Sequence, residues 1–533
     1  MNNSLSNNKV RLVALNSQYI HTNLAVHYIA EALRASYINA TIYEGNVNMA
    51  VAELYDNIVE DMPDIIAFST YIFNIKMVVT LAKKIRELLP QIKVVFGGIE
   101  AENNIAQLLP LCDTILVGDG EVVFLDYINN GCPSGVFKST KSAISCDIIS
   151  PYGEEYFKHT SGKIAYFEAS RGCPFRCSYC MSCKDDLRLF NLDFAKAELA
   201  KFRGSNIKVL KFVDRTANLK NRYAKDVLRA VIAESEHFDF PVHFEVAPEL
   251  FDDEYFDIIS TAPVGALQFE VGMQSFNEKT LQAINRKCNK NVIEHNIKRL
   301  IGLNNAVVHC DLIAGLPYED LASLKESFNT LFAIAPHEIQ LGLLKVLTGS
   351  ELADTITPDY IYNSEAPYDI ISTPFLSAEE VVDVKNTEIA VNKIYNSGRF
   401  KRTIARFIDR SAYDFFADIA RLAGNLTGTS LNDIILKFRD YLVAKGNKVD
   451  EVVEYLRFDY FSTNNCRKTP SALFREHKLN INGINRVLKK QGNLMAFETF
   501  LDEKGALTEV PRVICCDYND FDEVNRVFST KFM

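Results

Sequence analysis

From residue 10 to about 130, short apolar runs alternate with stretches in which apolar positions recur every three or four residues. Val10–Leu15, Ala40–Tyr43, Asp64–Ser69, Ile92–Phe96 and Thr114–Val117 read as strands, with Leu24–Ala35, Ala50–Val59, Lys76–Leu89, Ile105–Leu109 and Glu121–Tyr127 as the helices between them. Such alternation predicts an α/β domain, a doubly wound parallel sheet covered by helices on both faces, over residues 1–145. Ligands of these sheets lie beyond the carboxyl ends of the strands. Those ends, Asn16–Asn23, Ser69-Thr70-Tyr71, Gly97–Glu100 and Gly118–Glu121, are rich in small and polar residues.

A second alternating block carries strand candidates Ile164–Ala169, Ile207–Val213, Val242–Val246, Leu267–Val271, Val307–Ile313 and Ile339–Val346. Helical stretches separate them, except that a cysteine-rich loop follows the first. Six βα units are too few for a closed eight-stranded barrel, so residues 146–350 read as an open partial (βα)6 barrel with its site at the strand C-termini. Residues 351–533 are expected to form a mainly helical domain, from the periodicity of Ala378–Tyr395, Thr403–Leu422 and Leu431–Ala444, with one further strand candidate at Arg512–Cys516.

Composition narrows the classes. A net charge of -10 argues against general nucleic-acid binding, and no apolar run approaches the roughly 20 residues of a membrane span. Twelve cysteines without a secretory leader point to a reduced, cytoplasmic protein. The basic and aromatic residues mixed around Tyr460, Phe461, Arg467, Lys468, Phe474, Arg475, Lys489 and Lys490 read as a solvated helical face rather than a nucleic-acid or peptide groove.

The chemistry concentrates in Ser170-Arg171-Gly172-Cys173-Pro174-Phe175-Arg176-Cys177-Ser178-Tyr179-Cys180. A cubic 4Fe-4S cluster needs four ligands, and Cys173, Cys177 and Cys180 supply three, leaving one iron open as a Lewis-acid position. The bland alternative is a zinc knot or structural thiols. Cys183 could close the cluster and make an electron-transfer or redox-sensing protein instead.

This spacing, with Tyr179 before the last cysteine, resembles the radical S-adenosylmethionine (SAM) enzymes. The family uses the open iron to chelate SAM and cleaves it to a 5′-deoxyadenosyl radical. Gln268–Asn277, Ala283–Arg286 and Asp311–Pro317 resemble matching segments of oxygen-independent coproporphyrinogen oxidase and its relatives. Carried over by position, that likeness implies Glu245 and Asp311 at the amino or ribose groups of SAM, Gln274 and Arg286 at its ribose and carboxylate, and Tyr179 beside the adenine. Phe212-Val213-Asp214-Arg215-Thr216 replaces the usual glycine-rich stretch, which puts Asp214 at the amino group. Each of these polar residues also has a structural reading, as a barrel-stabilising carboxylate or a helix cap.

The order of parts resembles radical SAM proteins with an N-terminal cobalamin-binding domain and an uncharacterised C-terminal extension. That likeness implies cobalamin beside the cluster and SAM, a reductant such as flavodoxin or ferredoxin, and most often methyl transfer to an unactivated carbon. A radical cyclase, mutase or dehydrogenase is the alternative. The Asp-x-His-x-x-Gly signature that gives cobalt a histidine is absent, which leaves corrinoid occupancy open, and His21 reads as a hydrogen-bonded loop residue. Substrate identity is not encoded in any pattern here.

Overall fold

The computed structural model describes residues 8–139, 141, 143, 148–286, 289–408, 411–424, 426–464, 470, 473, 494–502, 504 and 506–532. It divides into two compact units. The first comprises Met1–Val246, Leu250–Leu267 and Lys345–Ile370; the second comprises Ala247–Glu249, Gln268–Leu344 and Ile371–Met533.

The first unit opens with β1 (Lys9–Asn16), α1 (Leu24–Ala35), β2 (Asn39–Asn46), α2 (Val51–Val59), β3 (Ile65–Ser69), α3 (Ile75–Leu88) and β4 (Lys93–Gly97). The short helices α4 (Ile99–Asn103) and α5 (Ile105–Leu108) lead into β5 (Thr114–Val117), α6 (Gly120–Asn129) and β6 (Gly135–Lys138). The sheet order is β2-β1-β3-β4-β5-β6 and every pairing is parallel. Its strands are apolar on both faces because helices cover both: Val13, Phe68, Val94 and Phe96 pack against α2 and α3, whereas Leu12, Ala14, Ala67 and Val95 pack against α1 and α6. The chain reverses direction of winding between β1 and β3, and the crevice at that switch point is where such sheets bind ligands. β6, a partner for β5, has no counterpart among the sequence-derived strands.

Next come α7 (Glu154–Thr160) and β7 (Ile164–Phe167), and then the cysteine loop, closed at its neck by the two-residue antiparallel ladder of β8 (Ser170–Arg171) with β9 (Arg188–Leu189). α8 (Leu192–Ala200), β10 (Val209–Phe212), α9 (Arg222–Ser235), β11 (Val242–Val246) and α10 (Asp253–Ser260) continue the unit. The βα repeat carries on in β12 (Leu267–Gln274), α11 (Glu278–Ala283), α12 (Lys290–Gly302), β13 (Ala306–Ala314), α13 (Leu321–Ile334) and β14 (Glu338–Leu343). The six-stranded order β14-β13-β12-β11-β10-β7 is that of a partial (βα)6 barrel, each unit adding its strand on the same side.

Burial alternates along these strands. In β13, Val308, Cys310, Leu312 and Ala314 are buried while His309, Asp311 and Ile313 are half-buried, so one face packs on helices and the other stays accessible. β7 and β10 alternate likewise, leaving Tyr166 and Lys211 on their accessible face.

The remaining elements are α14 (Glu351–Thr355), β15 (Ile361–Tyr362), β16 (Ile370–Ser372), α15 (Ala378–Ala390) running into a π-turn at Val391–Tyr395, α16 (Lys401–Phe407), α17 (Ala412–Ala423), α18 (Leu431–Ala444) and α19 (Val449–Thr463). The periodic stretch Thr403–Leu422 is two helices, since Ser411 caps α17 by accepting from the Asp414 N–H at 3.2 Å. The strand candidate at Arg512–Cys516 lies inside β18 (Leu507–Asp522), the centre of an antiparallel meander with β17 (Leu494–Leu501) and β19 (Val527–Phe532). Arg467, Lys468, Phe474, Arg475, Lys489 and Lys490 lie outside the described residues. Among the described residues, no helix is long and apolar enough to cross a membrane.

Candidate functional site

The cysteine loop follows β7 directly, so its position is set by the strand end and by the polar residues around its neck. Asp214, just past β10, accepts from the Ala169 N–H at 2.9 Å and from the Ser170 hydroxyl at 2.5 Å. Burial pushes its carboxyl up to about 7, because these two bonds only partly offset the loss of hydration. Both oxygens of Asp214 are thus engaged by the segment entering the loop.

Arg171 is held on three sides. Its guanidinium lies 2.6 Å from Glu168, 2.7 Å from Glu121 and 3.3 Å from Asp119, and it also sits over the rings of Tyr28 and Phe190. Asp119 in turn takes a bidentate contact from Arg188, at 2.6 and 3.1 Å. Burial would raise the Asp119 carboxyl, but Arg188, the Ala143 N–H and Arg171 outweigh it and hold it at about 2. The loop after β5 and the neck of the cysteine loop therefore form one buried ionic network.

Gly172 is required where it stands. Its φ is +81°, and a Cβ there would come 2.4 Å from the Asp186 carbonyl oxygen. Beyond it, Cys177 is buried, Cys173 and Cys180 are half-buried, and none of the three is in a disulfide. The Thr216 hydroxyl lies 3.5 Å from Cys173 Sγ, placing a hydrogen-bonding group on a thiolate ligand candidate. Three sulfurs on one anchored loop are a donor set that suits an iron-sulfur cluster. Tyr179 is half-buried beside them. Cys183 lies in the 3-10 turn Met181–Lys184, and its side chain is outside the described residues.

Glu245, at the end of β11, faces Lys211 at 3.8 Å and Arg215 at 3.6 Å. Both distances exceed those of charge-assisted hydrogen bonds. Lys211 neighbours Tyr166 and His243 in the strand register, and the Tyr166 hydroxyl lies 2.7 Å from His21 Nδ1.

The switch-point crevice of the first sheet has a distinct character. Asn74 donates to the Leu15 and Ser69 carbonyls at 3.0 and 2.9 Å, pinning the ends of β1 and β3. In the loops after β1 and β3, Tyr19, Ile20 and Phe73 are exposed, with Tyr71 and Phe73 stacked 5.3 Å apart at 4°. Gly98, at φ +100°, passes so close to Thr70 that a Cβ would lie 2.8 Å from its carbonyl oxygen. Exposed aromatic and apolar side chains beside a glycine edge suit a large planar ligand such as a corrin ring.

In the second unit, Gln274 ends β12 with φ +72°, a conformation non-glycine residues adopt at a cost. A Cβ on Gly272 would lie 2.7 Å from Gln274 Nε2 and 3.7 Å from the Arg286 guanidinium, so these two side chains share the space glycine leaves open. Arg286 is buried and ion-pairs with Glu249 at 3.6 Å. Asp311 is on the accessible face of β13, opposite Gln340 of β14, and Glu270 is similarly placed on β12.

Sequence reasoning assigned no role to Glu168, Arg171, Tyr166, Lys211 or Thr216. Arg171 and Thr216 lie within the motifs already singled out. The others had only their strand-alternating position as a signal.

Comparison with known proteins follows the same division. Residues 10–128 match the B12 binding domain, residues 167–331 the radical SAM superfamily, and residues 358–510 a protein family of unknown function (DUF4080). The cobalamin-dependent radical SAM methyltransferase TokK of Streptomyces tokunonensis is 26% identical over 337 residues, covering 55% of this chain and 49% of that protein. The 2-(S-pantetheinyl)-carbapenam-3-carboxylate methyltransferase of Streptantibioticus cattleyicolor is 22% identical over 443 residues, 71% of this chain and 64% of that one. The chain thus spans about half the length of the first relative and under two thirds of the second. Among solved structures, the cobalamin-dependent SAM radical enzyme OxsB with aqua-cobalamin bound has a TM-score of 0.60 at 13% identity, covering 85% of this chain and 80% of its own. The methyltransferase TsrM from Kitasatospora setae has a TM-score of 0.55 at 16% identity, with coverages of 68% and 82%. These two likenesses establish a shared fold.

Proposed function

We propose that this chain, a radical SAM protein with an N-terminal B12-binding-type domain and a C-terminal domain of unknown function, is a cobalamin-dependent methyltransferase acting on an unactivated carbon. When bound, the cofactors supply the difficult species: a 5′-deoxyadenosyl radical from SAM at a 4Fe-4S cluster, and a methyl group from the corrinoid. The protein's part is to hold, orient and exclude water.

Cys173, Cys177 and Cys180 hold the cluster, and the three-thiol loop is the observation that carries the reading. Asp214 serves it by fixing Ala169 and Ser170, so its contribution to SAM binding runs through loop position. Glu245, which has Arg215 at 3.6 Å and Lys211 at 3.8 Å, brings a carboxylate for an ammonium or for ribose hydroxyls. Tyr179 provides backbone contacts to adenine. From the second unit, Gln274, Arg286 and Asp311 offer an amide, a guanidinium and a carboxylate for the ribose, carboxylate and amino groups of SAM. The crevice at the β1/β3 switch point takes the corrinoid, and His21, in the loop after β1, is engaged with the Tyr166 hydroxyl. The names of the relatives support methyl transfer.

Anaerobic reconstitution tests this. Reductive formation of 5′-deoxyadenosine and co-purified corrinoid are expected; Cys180→Ala should abolish SAM cleavage and Cys183→Ala should leave it largely intact. Cleavage that survives Cys180→Ala but not Cys183→Ala would refute the ligand assignment. SAM cleavage by protein that takes up no corrinoid would refute the methyltransferase.

A further inference from the structure

Away from the cysteine loop, three side chains of the first unit converge on one point. His27 of α1 presents Nε2 at 2.9 Å from Glu44 Oε1 of β2, and His159 of α7 presents Nδ1 at 3.7 Å from the same oxygen. All three atoms lie within 4.8 Å of one another. The imidazoles are edge to face, with centroids 5.3 Å apart at 89°. His27 and Glu44 keep 2% and 4% of their side-chain surface exposed, whereas His159 keeps 25%.

Glu44 is aimed. Its second oxygen accepts from Asn16 Nδ2 at 2.7 Å and from the Asn23 N–H at 3.1 Å, which leaves Oε1 pointing at the two imidazoles. Orientation of one carboxylate oxygen by outer hydrogen bonds is what metal carboxylates usually show. The 3.7 Å gap to His159 is too long for a hydrogen bond. It is close to the edge of a metal polyhedron, about 3.3 Å for a tetrahedral ion with ligands at 2.0–2.1 Å.

The geometry points to a site for a divalent transition metal held by His27 Nε2, Glu44 Oε1 and His159 Nδ1. Two imidazoles and one carboxylate suit zinc or ferrous iron rather than magnesium or calcium, which take oxygen ligands. Such an ion would clip α7, the element leading into β7 and the cysteine loop, onto α1 and β2. The Arg34–Glu155 ion pair already joins the same elements. The clip is separate from the proposed cluster and needs no turnover to be seen.

Zinc is the probe, and its coordination shell the readout, because cysteine thiols could also take zinc. The full-length protein, with its cluster reconstituted, is given one equivalent of zinc, desalted, and examined by zinc K-edge absorption. The expected result is about one zinc per chain with a nitrogen/oxygen shell near 2.0–2.1 Å. His159→Gln should lower retention roughly tenfold and abolish any zinc-dependent rise in Tm, without loss of cluster iron. Glu44→Gln should act in the same direction. A sulfur shell near 2.3 Å, zinc lost on desalting from the wild type, or equal retention by His159→Gln would overturn the site.

Discussion

The Arg171 guanidinium lies 2.7 Å from the Glu121 carboxylate, which ties the residue two places before the first cysteine to the helix start that follows β5. Glu168 and Asp119 complete the cage, and all of these groups are largely shielded from water. Removing a cation from such a cage leaves uncompensated buried carboxylates. Arg171→Met should therefore cost about 3–5 kcal/mol in thermal unfolding of the cluster-free protein. Adding Glu168→Gln to the same chain should recover part of that loss. A double variant no more stable than the single one would show that charge compensation is not what Arg171 provides.

Gly172→Ala should damage the loop more than the fold. A left-handed φ and a Cβ 2.4 Å from the Asp186 carbonyl oxygen cannot both be accommodated without moving the backbone of the loop neck. Strain of about 1–3 kcal/mol is the scale for one such residue. After reconstitution, iron bound per chain should fall several-fold while circular dichroism stays near wild type. Undiminished iron content would show that the neck can shift freely.

How far the sequence reached depends on range. The parallel sheets follow from local periodicity, and the cysteine loop follows from spacing within eleven residues, so both were legible. The Arg171 cage was not, because its anions Asp119 and Glu121 lie about fifty residues upstream and no local pattern pairs them with a guanidinium. Asp214 was legible as a strand-end carboxylate, but its engagement with Ala169 and Ser170 depends on how β7 and β10 align, Phe212 beside Phe167. Thr403–Leu422 read as one helix because apolar periodicity persists through the break, where Ser411 caps the second helix.

Asp214 should make loop stability depend on pH near neutrality. Its carboxyl is raised by burial from 3.8 to about 7, so the folded protein binds a proton between those values that the unfolded chain has released. The stabilising contribution is full below pH 3.8 and is lost as pH rises through about 7. Asp214→Asn, which never charges, should flatten the decline of Tm between about pH 4 and pH 7 relative to wild type. Parallel curves for the two proteins would show that Asp214 does not titrate there.

His21 carries the opposite dependence. Burial first, then the Lys211 cation, lower its pKa below 6.5, and its Nδ1 lies 2.7 Å from the Tyr166 hydroxyl. The folded protein therefore binds fewer protons than the unfolded chain, and the contribution from neutral His21 is present above pH 6.5 and lost as the solution is acidified below it. Lys211→Met removes the cation but leaves the burial, so the titration midpoint of His21 should rise only part of the way towards 6.5. Selective labelling of histidine Cε1, with His21→Gln to assign its resonance, reads that midpoint directly by NMR. Tyr166→Phe should separately cost about 0.5–1.5 kcal/mol at pH 8, the scale of one hydrogen bond. A midpoint unmoved by Lys211→Met would exclude the lysine as a source of the shift and leave burial alone.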